Sequence, residues 1–384
     1  MDFELTEEQR DIQGAAREFA EGEFDRDLAM EFEREHAFPK SIWKKACELG
    51  FVGIHFPEVY GGQGLGILEN ILIVEAFCRQ DSGIGVALTL ADFSSEVILR
   101  FGTESQKRKY LPPVASGQAI SAGAYTEPDH GSDITRLSTV AVREGQAFVI
   151  NGTKTFITNG TLADHFVVLC QSNPEADPPY RGMSTLLVEK ETPGFEATEL
   201  GDKMGIRMTS TAELAFSDVR VPVENLIGEE DRGFYQVLEF FDESRIEIAA
   251  QALGIGQGAF DRALTYAKER RQFGRRIVDF QTTQHKLADM YTMLETARLL
   301  TYKAAWNYDR GRIDPRLTSM AKMHAGRVGV EVADEAIQIF GGYGYITEYE
   351  VERFYRDARI MEIYEGTREI QKNTIASSLI GKAK

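Results

Sequence analysis

The sequence predicts a mainly α protein with a central β domain, ordered as an N-terminal α-helical domain, a small β barrel and a C-terminal four-helix bundle. Three observations predict this order. Helical apolar spacing runs through residues 1–119, short β-type runs between turn residues occupy 120–227, and long helical segments fill 228–384. Of the 384 residues, 43% are hydrophobic, which is enough for more than one core.

The N-terminal third carries helix start and stop signals. Thr6 can cap a helix with Gln9 three residues later, and an apolar stripe follows. A later helix stops at Gly102, a residue type that favours helix C-termini. The helices expected after the first one span residues 41–49, 69–79 and 96–101.

The middle and the last third of the chain follow different periods. Short runs rich in β-branched and aromatic residues predict strands over 141–143, 147–150, 166–170, 184–188 and 212–216. Long helical periods return over 234–271, 284–311 and 315–340, and a last helix begins at about 366. Four such helices suggest an antiparallel bundle.

Charge and composition exclude several classes of protein. The formal net charge is −17, so the surface field repels polyanions and no nucleic-acid partner is expected. Cys47, Cys78 and Cys170 have no C-x-x-C spacing and are interpreted as reduced core thiols. The apolar stretches are too short to cross a bilayer, and the acidic start MDFELTEEQR is unlike a leader. We expect a cytoplasmic protein of a bacterium or archaeon, without a membrane partner.

Glycine and histidine patterns add no further site. The segment GIGQGA at 254–259 matches the loose dinucleotide pattern G-x-G-x-x-A, but it lies inside a helical stretch rather than after a strand. Its small residues are therefore interpreted as helix-packing positions. No H-E-x-x-H, G-x-S-x-G or Walker pattern is present and the six histidines lack metal-ligand spacing, so no metal site is predicted.

Three polar segments beside glycines remain. AYTEPDHGSD at 124–133 either forms a turn or lets its backbone and hydroxyls approach a planar ligand. NGTKTFITNG at 151–160 is either an ordinary hairpin or a strand that presents Phe156 and Thr158 on one face. In IYEGTREIQ, Glu365 directly precedes the opening of the last helix, where the helix dipole favours an anion.

Together these segments resemble the acyl-CoA dehydrogenase family of flavoenzymes, over essentially the whole chain and in the right order. YTEPDHGSD, KTFITNG, ERRQFG, and QIFGGYGY with YEGTREIQ are similar to the family's signatures. The resemblance implies the same three-part architecture, FAD as cofactor and an acyl-CoA as substrate. It also implies an electron-transfer flavoprotein as partner and, as is usual in the family, a homotetramer.

The resemblance further implies which residues hold the cofactor. Along the flavin or the substrate thioester it places Tyr125, Thr126, Gly131 and Ser132, and over the flavin ring and its N5 side Phe156 and Thr158. Around the pyrophosphate and adenine, partly across a subunit interface, it places Arg270, Gln272, Phe273, Gln281, Gln338 and Gly342. On the final helix it adds Thr367 and Glu369.

Glu365 matches the family's catalytic base, the carboxylate that removes the α-proton of the thioester while a hydride leaves the β-carbon for flavin N5. Burial beside an acyl chain would raise the pKa of this carboxyl and make it a more competent base near neutral pH. Some subfamilies carry the base on the first bundle helix, at a position held here by Ser244, which cannot serve as one. Glu243 is one residue away and is expected on a different side of that helix.

Further substrate contacts follow from the same resemblance. Tyr364 and Gly366 flank the base and are assigned to substrate binding, together with Ser132. Asp242 and Arg245 match residues that contact the CoA arm and the active-site region, or they form a structural ion pair.

The acyl pocket of the family is lined by a helix on which Asp92 is expected to fall. Asp92 either faces solvent or acts as a second, catalytic proton-transfer group. The second role would suit 1,4-elimination from a cyclic enoyl-CoA, as in the branch of cyclohexanecarboxyl-CoA and cyclohex-1-ene-1-carboxyl-CoA dehydrogenases. Gly85 stands where glutaryl-CoA enzymes carry a substrate-binding Arg, which argues against that substrate.

The function expected is therefore FAD-dependent oxidation of a short-chain or alicyclic acyl-CoA to an enoyl-CoA. Two alternatives stay open at this point. One is an acyl-CoA oxidase that uses oxygen, and the other is a non-catalytic relative that keeps the flavin fold.

Overall fold

Seven helices open the computed structural model, which describes residues 4–381. Thr6 caps the first helix through a capping box with Gln9, as predicted. The sixth helix ends at Gly102, also as predicted. The helices are α1 (Glu7–Glu23), α2 (Arg26–Glu35), α3 (Lys40–Glu48), α4 (Ile67–Gln80), α5 (Ser82–Thr89), α6 (Ser95–Phe101) and α7 (Glu104–Ala115).

A seven-stranded sheet follows, curved into a half-barrel. Its strands are β1 (Ser121–Ala124), β2 (Val140–Glu144), β3 (Ala147–Thr158), β4 (His165–Gln171), β5 (Met183–Glu189), β6 (Phe195–Glu199) and β7 (Thr211–Pro222). The order is β1-β4-β2-β3-β7-β6, with β5 paired to β4. All five predicted runs lie in strands. The small-residue strand β1 was not predicted, because its conformation depends on parallel pairing with β4, which places Ser121 opposite His165.

Helices return after the sheet. They are α8 (Gly233–Glu269), α9 (Gln281–Tyr308), α10 (Pro315–Phe340), α11 (Val351–Ala358) and α12 (Arg368–Ile380), with a two-stranded ribbon, β8 (Arg271–Gln272) and β9 (Arg275–Arg276), between α8 and α9. Asp314 caps α10 and Pro315 occupies its first turn, so this helix has its predicted bounds. The fourth predicted helix, α12, begins two residues after its predicted start and has 13 residues, and the short α11, which was not predicted, precedes it.

The glycines of GIGQGA lie inside α8 and pack against α4. A Cβ atom on Gly254 would lie 2.6 Å from the carbonyl oxygen of Glu75, and one on Gly258 would lie 2.3 Å from that of Arg79. Only glycine allows the two backbones to approach so closely. The helix-packing interpretation is confirmed.

Buried polar contacts fix the parts that surround the site. Arg353 of α11 donates two hydrogen bonds to Asp81, which caps α5, at 2.8 and 2.5 Å. Asp357 accepts from Ser82 Oγ at 2.6 Å and from the amide of Ile206 at 2.5 Å. The start of α5, the end of α11 and a loop of the β domain are therefore held together.

The three cysteines are buried and free, as expected. Among residues 4–381, no helix is both long and apolar enough to cross a bilayer.

Candidate active site

Glu365 lies in a tight turn between the short 3-10 helix Arg359–Glu362 and α12. Its φ is +53°, and Gly366 follows with a φ of +92°. A left-handed conformation costs a residue with a Cβ atom about 1–2 kcal/mol, so the surrounding contacts must hold it. Gln371 Nε2 donates to the carbonyl oxygens of Glu365 and Gly366, both at 3.0 Å, and Lys322 Nζ donates to that of Gly366 at 2.7 Å.

The carboxyl group of Glu365 accepts a hydrogen bond from Ser244 Oγ on α8 at 2.7 Å. Burial raises the pKa of Glu365, while the Ser244 hydrogen bond and the positive charges of Lys322 and Arg245 oppose the rise. The amide N–H of Glu365 donates to no acceptor among residues 4–381. The turn thus presents a carboxyl group with a raised pKa and a free backbone donor side by side.

Glu243 points away from this site, as predicted. Its carboxylate accepts from Arg100 and, at 2.6 Å, from the hydroxyl of Tyr308. Ser244 therefore occupies the position on α8 that faces Glu365, and it is a hydrogen-bond donor to the candidate base rather than a base itself.

A stripe along α8 leads from Glu365 to an internal cavity. Ser244, Glu247 and Gln251 are spaced by three and four residues, so they share one helix face. Gln251 accepts from the hydroxyl of Tyr364 at 2.6 Å and donates to Thr89 Oγ1 at 3.0 Å. The cavity, of about 10 Å³, is lined by Phe51, Val52, Asn70, Ile73, Val74, Phe77, Leu88, Thr89, Asp92 and Glu247.

Asp92 lines this cavity from the turn that joins α5 to α6, and not from a helix as expected. Its neighbours explain the difference, because Ser94 adopts a left-handed φ of +72° that interrupts the helix. Asp92 does not face open solvent. Burial raises its pKa, although the nearby charge of His55 opposes the rise.

A buried ionic cluster stands behind Asp92. His55 contacts Glu96, and Arg100 reaches both Glu96 and Glu243. Ligand atoms of His55, Glu96 and Glu243 lie within 4.8 Å of one another, but Arg100 pairs with both carboxylates, and, although burial opposes it, Glu96 raises the pKa of His55 to about 10, which makes it a second cation. We therefore interpret the cluster as an ion-pair network. No sequence spacing indicated it, because its members come from three separate segments.

The first two motif segments meet in the structure. Thr155 N donates to Thr126 O at 2.9 Å, and Lys154 Nζ donates to Tyr125 O at 3.2 Å and to Glu127 Oε1 at 2.8 Å. Lys154 is fully buried, and Glu127 is 3% exposed. This ion pair was not predicted, although Glu127 and Lys154 belong to the segments 124–133 and 151–160. The signal that could have indicated it is the presence of opposite charges in these two neighbouring segments.

Tyr125 lies beside the Glu365 region. Its hydroxyl is 2.7 Å from Ser94 Oγ, and its ring packs edge-on against Phe241 of α8, 5.8 Å between centroids. Burial raises the pKa of Tyr125, so it stays a neutral hydroxyl. Gly131 and Ser132 follow a tight turn closed by mutual backbone hydrogen bonds of Glu127 and His130 and are exposed.

Phe156 and Thr158 lie at the end of β3. A bulge interrupts the pairing of β3 with β7 between Lys154 and Ile157, and Phe156 has a φ of +57°. Phe156 is 68% exposed, Thr158 is partly exposed and Ile157 between them is buried. Both side chains are thus more exposed than Ile157, although the strict alternation behind the prediction of a shared face does not hold across the bulge.

The residues assigned to pyrophosphate and adenine are not near Glu365 within one chain. Gln338 is sixteen residues beyond Lys322 on α10, which corresponds to about 24 Å. The group lies at an exposed end of the bundle, where Phe273 is 93% exposed with a φ of +51°. It comprises Arg270, Gln272, Phe273, Gln281, Gln338 and Gly342.

This exposed end fits a diphosphate with an attached aromatic ring. Arg270 stacks on Tyr343 at 5.3 Å and pairs with no carboxylate among the residues that the structure describes. Three more arginines follow it in a chain whose overall charge is −17. An unpaired guanidinium binds phosphate oxygens well, and an exposed ring such as Phe273 offers a stacking face.

The remaining assigned residues have ordinary partners. Thr367 caps α12 through the amide of Ile370, and Glu369 is exposed in its first turn. Asp242 and Arg245 form an ion pair at 3.6 Å, so the structural alternative describes what they do within the chain. The Nε atom of Arg245 is buried without a hydrogen-bond partner, which leaves it a free donor near the site.

Three family models match the chain in sequence order. They are the acyl-CoA dehydrogenase N-terminal domain at residues 6–118, the middle domain at 122–219 and the C-terminal domain at 231–380. The "Acyl-CoA dehydrogenase, short-chain specific" of Clostridium acetobutylicum is 44% identical over 99% of this chain and 100% of its own. The "Acryloyl-CoA reductase (NADH)" of Anaerotignum propionicum is 42% identical over 99% of this chain and 96% of its own.

Solved structures agree. Butyryl-CoA dehydrogenase from Megasphaera elsdenii has a TM-score of 0.93 at 39% identity and covers 99% of this chain and 100% of its own. A chain described with the electron transferring flavoprotein of Acidaminococcus fermentans has a TM-score of 0.95 at 44% identity, with 100% of both chains covered. A glutaryl-CoA dehydrogenase from Mycobacterium smegmatis in complex with FADH2 has a TM-score of 0.92 at 31% identity, covering 99% of this chain and 96% of its own. The chain belongs to the acyl-CoA dehydrogenase family of oxidoreductases, with FAD as cofactor.

Proposed function

We propose that this enzyme oxidises a short acyl-CoA thioester to the α,β-enoyl-CoA, with Glu365 as the catalytic base. The observation that supports it most is the turn at Glu365, where a partly buried carboxyl group with a raised pKa accepts a 2.7 Å hydrogen bond from Ser244, at one end of a stripe that leads to a cavity. A base whose pKa lies closer to neutrality transfers protons more effectively.

The reaction breaks two C–H bonds and forms one C=C bond. Glu365 takes the α-proton onto its carboxylate, and the amide N–H of Glu365 donates to the thioester oxygen as negative charge develops there. FAD, when bound, accepts the hydride that leaves the β-carbon. The buried surroundings of Glu365 then stabilise its neutral, protonated form, and Ser244 stays in hydrogen-bond contact.

The cofactor and substrate assignments are part of the same proposal. Tyr125, Thr126, Phe156 and Thr158 would hold the flavin region, with Gly131 and Ser132 in the loop beside it. Thr367 and Glu369 would add contacts on α12, and Asp242, Arg245, Tyr364 and Gly366 would contact the substrate. The Arg270 group, about 24 Å away along α10, would hold the diphosphate and adenine of a second subunit's FAD. This arrangement supports a homotetramer. We also propose domain boundaries near 119/120 and 227/228.

The size of the cavity favours a short acyl chain. Six of its ten lining residues are apolar, and its volume of about 10 Å³ admits about one water-sized group, which leaves no room for a long chain. The short-chain specificity named for the Clostridium acetobutylicum relative points the same way.

A second candidate substrate is alicyclic, and Asp92 is the observation that favours it. In its ionised form, this partly buried carboxyl group at the wall of the cavity would take a proton from a carbon remote from the thioester, as a 1,4-elimination requires. Replacing Asp92 with Asn should abolish turnover of cyclohex-1-ene-1-carboxyl-CoA; unchanged turnover would exclude this role.

The deciding experiment is an anaerobic titration of the purified protein with straight-chain, branched and alicyclic acyl-CoAs, followed in the visible spectrum. Bleaching of the flavin band by one class identifies the substrate. Glu365→Gln should abolish bleaching, whereas Glu196→Gln, an exposed glutamate on β6, should not change it. Bleaching that persists in Glu365→Gln, or no bleaching of the wild type by any thioester, would contradict the proposal.

We propose an electron-transfer flavoprotein as the electron acceptor and the cytoplasm as the location. The relative described with such a flavoprotein and the Caffeyl-CoA reductase-Etf complex subunit CarC of Acetobacterium woodii, 39% identical, support the acceptor. Steady peroxide production under air would instead identify an acyl-CoA oxidase.

A further inference from the structure

Lys322 is a buried cation directly behind the Glu365 turn. It lies on α10, is 1% exposed and donates from Nζ to the carbonyl oxygen of Gly366 at 2.7 Å. It forms no ion pair within 4.0 Å with any carboxylate among residues 4–381. A buried lysine is usually paired, so the placement of this one against a backbone carbonyl requires an explanation.

The charged groups around Lys322 come from three elements. Glu365 lies in the turn itself, Arg245 on α8 and Glu362 on the 3-10 helix before the turn. Glu362 is already paired, at 2.9 Å with Arg359 and at 3.1 Å with Arg368. Glu365 is thus the one carboxylate of this set without an ion-pair partner, and the electrostatic effect of Lys322 falls mainly on it.

The hydrogen bond of Lys322 also fixes the turn mechanically. Gly366 has a φ of +92°, and a Cβ atom there would lie 2.6 Å from Gln371 Nε2. Lys322 and Gln371 therefore both donate hydrogen bonds to the carbonyl oxygen of Gly366. Gln371 also donates to the carbonyl of Glu365, so these hydrogen bonds fix the two peptides that follow Glu365 and, through them, the backbone from which its side chain projects.

We propose that Lys322 is a positioning residue for the proposed reaction, one that holds the Gly366 carbonyl so that Glu365 stays aimed at the substrate, and whose charge favours the ionised carboxylate before proton abstraction. This inference rests on the proposed function of Glu365. In support, burial lowers the pKa of Lys322 to about 7, so its charge changes within the working pH range.

The test is Lys322→Met, which keeps the length of the side chain and removes both its charge and its donor. We expect kcat to fall roughly 10- to 100-fold, because small displacements of a reacting group have effects of this size. We also expect the lower limb of the pH–kcat profile to move to higher pH, since the lost charge had lowered the pKa of Glu365. The kinetic isotope effect with α-deuterated substrate should rise.

A readout other than turnover is the carboxyl band of Glu365 in infrared difference spectra, assigned by its loss in Glu365→Gln. In Lys322→Met this band should titrate at higher pH than in the wild type. Lys203→Met is the matched control, since Lys203 is a partly buried lysine of the β domain that also donates to a backbone carbonyl, that of Ile206 at 3.0 Å. It should leave the band and the pH profile unchanged.

A kcat within about twofold of wild type, with an unmoved pH limb and an unmoved carboxyl band, would overturn the inference. If Lys322→Met does not fold, Lys322→Gln is measured by the same criteria. Full activity of Glu365→Gln would instead refute the proposed function, so the two failures are distinguishable.

Discussion

The ion pair between Glu127 and Lys154 should be one of the costliest interactions in the protein to break. Glu127 accepts from Lys154 at 2.8 Å and from the amides of Ser138 and Thr139 at 2.6 and 2.9 Å. These contacts hold the pKa of Glu127 below its usual value, despite its burial. Glu127→Gln would leave the ammonium of Lys154 buried and unpaired, which costs about 3–5 kcal/mol.

The double variant separates pairing from packing. Lys154→Met should also destabilise, but toward the lower end of that range, because the two backbone amides still solvate Glu127. Combining Glu127→Gln with Lys154→Met removes both charges, so we expect a coupling energy of at least about 2 kcal/mol in a double-mutant cycle.

Urea unfolding of the four proteins at pH 7, followed by fluorescence and circular dichroism, measures these values. A cost below about 1 kcal/mol for Glu127→Gln, or additive single effects, would refute the reasoning. Since the pair anchors the carbonyl of Tyr125, Glu127→Gln should also retain less FAD after gel filtration.

Three further predictions concern separate parts of the molecule. Burial lowers the pKa of His165 to about 4, so the unfolded chain binds a proton first as pH falls below about 6.5. Through this group, the free energy of unfolding should be about 2 kcal/mol lower at pH 5 than at pH 7.5. His165→Phe should remove this difference in urea titrations. Gly366→Ala should destabilise by about 1–2 kcal/mol, because its φ is +92°, and lower kcat; an unchanged kcat would show that the turn tolerates the Cβ atom. Phe273→Ala should change protomer stability by less than about 0.5 kcal/mol but weaken assembly and FAD retention, since this ring is 93% exposed; an unaltered sedimentation profile and flavin content would contradict its role.

Local signals in the sequence predicted most elements but few of the contacts that build the site. The capping box at Thr6 and the Asp-Pro start of α10 are determined by neighbouring residues, so their positions were right. Strand β6, FEATE, was not predicted because it is a polar strand whose pairing with β7 supplies the information that its own residues lack. Glu365 was placed by family resemblance, since nothing in its local sequence requires a φ of +53°.

The charged groups around Asp92 show a second limit of prediction from sequence. His55, the Asp92–Glu96 segment and Glu247 are far apart in sequence, and periodicity describes only which side of one element is buried. Single charged residues at such positions are usually solvated, so their mutual burial is visible only once α8 is packed against the N-terminal helices.

The Glu365 turn and the cavity have opposite electrostatic character, and this contrast bears on substrate choice. At the turn, Lys322 and Arg245 favour the ionised form of Glu365. In the cavity, burial raises the pKa of Glu247 to about 8, so Glu247 carries a proton at neutral pH, and burial also raises the pKa of Asp92. Asn70 donates to Glu247, but a purely apolar chain terminus would make no polar contact with these two carboxyl groups. An acyl group of the same size that carries a polar group or an acidic C–H bond at its distal carbon would contact both carboxyl groups. Selectivity between substrates of equal volume should therefore follow the chemistry of the distal carbon, and Asp92→Asn should reduce that selectivity more than it reduces turnover of a straight-chain thioester.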